Sequence, residues 1–118
     1  LDPSFTPAMI SLAFCLVDEI RLGWSAHPRA SRNEAWELYE KAHARDPKNL
    51  YARALSAFLT CIDGFHDKAC QIMHEVVTEA PESPELLAYY GVLRTYNAQI
   101  YEAISLFEHA LRLTPHPP

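Results

Sequence analysis

The sequence predicts an all-α solenoid of three antiparallel helix pairs, and three observations carry that prediction. The first is one stretch written three times. NEAWELYEKAHARDP (residues 33–47) returns after 34 residues as DKACQIMHEVVTEAP (67–81), and again as YEAISLFEHALRLTP (101–115). Ala35, Ala69 and Ala103 fall in register, as do Leu38, Ile72 and Leu106, then Tyr39, Met73 and Phe107. Ala42, Val76 and Ala110 follow, and Pro47, Pro81 and Pro115 close each copy. A fixed period with matched small, apolar and proline positions marks a helical repeat array. Second, no segment alternates with period two, so no strand is expected. Third, Ala13, Ala57 and Gly91 recur in the first helices, opposite Ala35, Ala69 and Ala103 in the second. Facing small residues let helix backbones approach toward the short end of the usual ~8–10 Å spacing. One pair cannot bury its apolar faces alone, whereas stacked pairs can.

The elements follow in order. Leu1-Asp2-Pro3 reads as the end of an earlier repeat, with Pro3 in the role of Pro47, Pro81 and Pro115. The interval from Pro3 to Pro47 is ten residues longer than the period, so the first repeat carries an insertion. The repeats then span 4–47, 48–81 and 82–115 of a single domain, cut from a longer protein. Thr6-Pro7 opens the first helix as N-cap and first helical residue. From Ala8 to about Leu22 its apolar residues surround it, which predicts a helix sandwiched between neighbours. Gly23 ends it as a left-handed C-terminal residue. After the loop containing Trp24 and Pro28, Ser31 with Glu34 forms a capping box for a helix running to about Arg45. Asn49 caps the third helix, from Leu50 to about Ile62, and Asp63-Gly64 turns the chain. The fourth covers His66 to Glu79. Ser83-Pro84-Glu85 supplies cap, first-position proline and first-turn acid for the fifth. It ends near Tyr96; Asn97, Ala98 and Gln99 turn into a sixth helix closing at Leu113, and His116-Pro117-Pro118 reads as a linker.

Composition narrows the function. Apolar residues make up 49% of the chain and charged residues 21%, ordinary for a globular protein with a continuous core. A net charge of −5 offers no attraction to phosphate backbones or anionic lipid, so neither nucleic acid nor a membrane is expected as partner. No run of 18 apolar residues suggests a transmembrane helix, and the apolar opening lacks the basic flank of a secretion signal. Cys15, Cys61 and Cys70 are odd in number and not closely paired, which suits a reducing cytoplasm and three core-filling thiols.

With the 34-residue period, the small residue in each first helix, the Ala, aromatic, Ala spacing in the second helices of repeats one and three and the closing proline, the chain resembles tetratricopeptide repeats. The third repeat matches throughout, at Gly91, Ala103, Phe107, Ala110 and Pro115. The second departs, with Met73 and Val76 in place of the aromatic and small residue and His66 where tyrosine is common. The resemblance implies a right-handed α-solenoid whose first helices line a concave surface. The string from Leu22 to Ser31, LGWSAHPRAS, and the closing ALRLTPHPP are similar to repeat regions of bacterial class III adenylate cyclases and winged-helix transcriptional regulators.

Chemistry-bearing clusters are few. His66, Cys70 and His74 lie at i, i+4 and i+8, but eight helical residues span about 12 Å, too far for three ligands to reach one ion. No metal or other cofactor is expected. Glycine-rich phosphate loops, nucleophile elbows and metalloprotease motifs are absent from the sequence, and no catalytic residue is assigned. Glu34, Glu37 and Glu40 read as a solvated face. The partner-binding residues are expected on the first helices: Tyr51, Phe58 and Ile62 in repeat two, Tyr89, Val92 and Tyr96 in repeat three, with Ile10 and Phe14 from repeat one. Members of the resembled family that clamp chaperone C-termini use lysine and asparagine there; Ala54, Leu55, Phe58 and Ala88 stand in those places and disfavour that activity.

These readings lead to a non-enzymatic protein-interaction module that holds a protein or peptide segment, an apolar helix or extended segment, in its concave groove. The resemblance implies a bacterial signalling or regulatory setting. The alternative is an intramolecular scaffold attached to a nucleotide cyclase. Self-association through terminal helices is a further expectation.

Overall fold

A computed structural model describes residues 5–114. Six helices follow one another: α1 (Phe5–Arg21), α2 (Pro28–Arg45), α3 (Leu50–Ile62), α4 (His66–Glu79), α5 (Pro84–Tyr96) and α6 (Ile100–Leu113). Among the described residues there is no strand. The expectations for Pro3, Pro115 and His116 lie outside them. No helix of the described residues is long and apolar enough to cross a membrane.

Local chemistry explains most boundaries. The Asn49 side chain accepts from the Tyr51 and Ala52 amides, and Ser83 accepts from Leu86, so each satisfies donors that the first helical turn leaves open. At the other end, α1, α3 and α5 stop in the same way. In α1 the Trp24 amide reaches Glu19 and the Gly23 amide reaches Ile20; in α3 Phe65 reaches Thr60 and Gly64 reaches Cys61. In α5 Gln99 reaches Arg94 and Ala98 reaches Thr95. This pair of bonds forces the residue after the cap into the left-handed region, at φ +73° for Gly23, +95° for Gly64 and +58° for Ala98.

Two boundaries differ from expectation. Helix α2 begins at Pro28, not at Ser31, with His27 as an N-cap whose side chain makes no capping bond. Proline fits the first helical position without losing a bond, and that wins over the capping box. Ser31 is inside the helix, its hydroxyl 2.9 Å from that of Ser25. Thr6 likewise lies within α1, not before it.

Each consecutive pair packs together, α1 on α2, α3 on α4 and α5 on α6. The pairs join where α2 meets α3 and α4 meets α5, and α3 also touches α1 and α5. Helix α3 is therefore the sandwiched one, with every residue from Ala54 to Cys61 buried. Helix α1 does not have that environment: it buries only Thr6, Ile10, Ala13 and Val17 and exposes Leu12 and Cys15. Cys15 is thus no core filler, while Cys61 and Cys70 are. Ala13, Ala35, Ala57 and Ala69 are completely buried, and Leu55, Leu59, Met73, Val76, Leu86 and Leu93 fill the space around them.

Candidate functional site

Helices α1, α3 and α5 lie side by side and run in one sense. Pro7, Ile10, Ser11 and Phe14 of α1 share a hollow of about 370 Å³ with Asn49 and Tyr51 at the start of α3 and with Glu85 and Tyr89 early in α5. At the far end a second hollow of about 190 Å³ joins Ile20 and Arg21, closing α1, to Phe58, Cys61 and Ile62 of α3, His66 of α4 and Tyr96 closing α5. Like ends meet like ends.

Three rings separate the hollows. Phe14, Phe58 and Tyr89 pack in a triangle, with centroids 5.7 Å apart for Phe14 and Phe58, 5.4 Å for Phe14 and Tyr89, and 5.6 Å for Phe58 and Tyr89. Edge-on and tilted contacts at these separations are favourable for aromatic quadrupoles. Phe14 and Tyr89 thereby connect α1 to α5 across α3.

The six expected partner-binding residues divide between these features. Tyr51 and Tyr96 are 40% and 44% exposed and stand one at each hollow. Tyr89 is half-buried, and its hydroxyl donates to Glu85 at 3.0 Å. Burial first, and the Glu85 carboxylate second, push its phenol well above the usual tyrosine range, so it stays a donor at any physiological pH. Ile62 is half-buried in the smaller hollow. Phe58 is only 5% exposed and serves as floor, a core ring more than a contact. Val92 is half-buried against the core and lines neither hollow.

Sequence reasoning missed Arg21. Its guanidinium lies 5.7 Å from the Phe58 ring centre and 5.9 Å from that of Tyr96, while it donates to Asp18 at 2.9 Å. The signal was its place on the face of α1 that carries Phe14, two turns earlier. His66 parts from the other two and joins the smaller hollow, while Cys70 and His74 border a different one beside Tyr90.

Comparison with protein-family models and with curated proteins finds no match to this chain.

Proposed function

We propose that the chain is a tetratricopeptide-like, right-handed solenoid acting as a non-catalytic protein-interaction module. Its working surface is the face shared by α1, α3 and α5. One observation carries the reading: two hollows lie along that face, each with a partly exposed tyrosine, on either side of three packed aromatic rings. Tyrosine presents a large ring at small entropic cost and keeps a hydroxyl for the rim, which suits it to anchoring a partner. The spacing of the hollows along the helices fits an extended or helical segment that places one apolar side chain in each. The resemblance of 22–31 to repeat regions of cyclases and transcriptional regulators supports reading the chain as a module of a bacterial signalling or regulatory protein in the cytoplasm.

Selection of peptides from a random displayed library against the domain tests the proposal. Peptides so enriched should bind Tyr51→Ala and Tyr96→Ala at least ~30-fold more weakly, the loss of about 2 kcal/mol expected of an interface anchor. Glu40→Ala, on an exposed face of α2, should leave affinity unchanged. Enriched peptides that lose affinity to Glu40→Ala and keep it for both tyrosine variants would reject this surface.

A further inference from the structure

The opposite side of α5 carries a different hollow. Tyr89, Val92 and Tyr96 lie on one face of α5, and Tyr90 and Arg94 are roughly half a turn away at ~100° per residue. There Asp67, Cys70, Gln71 and His74 of α4, Tyr90 and Arg94 of α5, and Asn97 and Gln99 of the following turn enclose about 360 Å³.

A charge without a counter-charge occupies it. The Arg94 Nη1 donates to Gln99 Oε1 at 2.8 Å and Nη2 donates to the Tyr90 hydroxyl at 2.7 Å, both neutral acceptors. Its Nε is buried with no hydrogen-bond partner. Among the described residues no carboxylate lies within ion-pair distance of Arg94, whereas Arg21 and Arg32 each have one and Arg53 has two. Two of the five guanidinium hydrogens are used, so three remain. Asp67, the only acid lining the hollow, accepts from Asn97 at 2.8 Å instead.

The chain's own repetition sharpens the contrast. One period earlier Tyr90 and Arg94 correspond to Ser56 and Thr60, whose hydroxyls donate to the Arg53 and Ser56 carbonyls of their own helix. Asn97 corresponds to Asp63, whose carboxylate takes Arg32 at 2.7 and 2.9 Å. At that junction the arginine is neutralised. At this one the acid is replaced by an amide and the cation moves to the floor.

We propose that this hollow binds a small oxyanion, a carboxylate or a phosphoryl group carried on a larger molecule. Arg94 holds it. Because Tyr90 accepts from Arg94, its own proton is free for His74 Nδ1, 3.3 Å away, which leaves the His74 Nε2–H as a further donor. The Gln71 amide stands on the rim. The hollow is open to solvent, so the molecule that carries the oxyanion can extend out of it.

The test is an amide and side-chain NMR titration of the whole chain at constant ionic strength, with sodium phosphate in one arm and sodium acetate in the other. Saturable shifts confined to Gln71, His74, Arg94, Asn97 and Gln99 are expected. Saturation by phosphate alone assigns a phosphoryl group, by acetate alone a carboxylate, and by both the shared chemistry. Arg94→Met, which keeps the aliphatic stem, should abolish saturation, and Asp67→Asn, at an exposed position, should tighten binding severalfold. Linear shifts in both arms, shifts that persist in Arg94→Met, or no tightening in Asp67→Asn overturn the proposal.

Discussion

Gly91 has no room for a side chain. A methyl group there would stand 2.8 Å from two atoms of the Phe107 ring, so the close approach within the third pair is between Gly91 and Phe107. Phe107 is only half-buried and can yield, which puts Gly91→Ala near ~1 kcal/mol of destabilisation, the low end of overpacking costs. Ala69 is completely enclosed, and Ala69→Leu should cost about 1–3 kcal/mol. Urea unfolding of both variants measures the difference. At the same scale, Asp63 accepts two bonds from Arg32 and one from the Trp36 indole at 3.3 Å. The Arg32 hydrogen bonds, more than charge alone, hold its carboxyl below the usual range, against a smaller opposing effect of burial. A folded pKa below the unfolded one contributes stability that is present above ~3.9 and lost as pH falls through the folded value. Wild type should therefore lose more stability than Asp63→Asn between pH 5 and pH 2, as read by urea midpoints at each pH. Equal losses would show that this bridge does not contribute.

At the scale of the element, the shared ending of α1, α3 and α5 makes a prediction of its own. Gly23 and Gly64 take the left-handed conformation without strain, while Ala98 takes it with a Cβ. Ala98→Gly should stabilise the chain by about 1 kcal/mol, and Gly64→Ala should destabilise it by a similar amount. Thermal melts of the two variants should move in opposite directions. Helix starts behave alike: Asn49→Ala and Ser83→Ala each remove a cap bond seen in the structure and should cost ~1 kcal/mol. Ser31→Ala should cost less, since Ser31 caps nothing.

For the whole molecule, the three pairs are not equally covered. Met73 and Val77 of α4 are buried, and one period later Phe107 is half-buried and Leu111 is 68% exposed. Among the described residues α6 packs only on α5, leaving Ile100, Tyr101, Ile104 and Leu111 in the open. Exposed apolar side chains on a terminal helix favour association. Sedimentation velocity of this chain should show concentration-dependent self-association that Leu111→Glu weakens, while Leu12→Glu on the exposed side of α1 tests the opposite end.

The 34-residue period, the caps at Asn49 and Ser83, the turns at Gly23 and Gly64 and the spans of α3 to α6 were all determined by the sequence itself. These features depend on residues within a turn or two of one another: a side chain meeting a nearby amide, a glycine after a cap, a proline that ends a helix. Only tertiary structure decided which helix is enclosed, because enclosure depends on how many neighbours arrive from elsewhere in the chain. It passed α1, apolar almost all round, and chose α3, which has a pair on each side. It decided likewise that Phe58 is floor while Tyr51 and Tyr96 are surface, three aromatic rings on one set of helices. Arg94 was illegible for the same reason. Its charge acquires meaning only when α4 and the α5–α6 turn close around it, with amides and hydroxyls where the preceding junction sets a carboxylate.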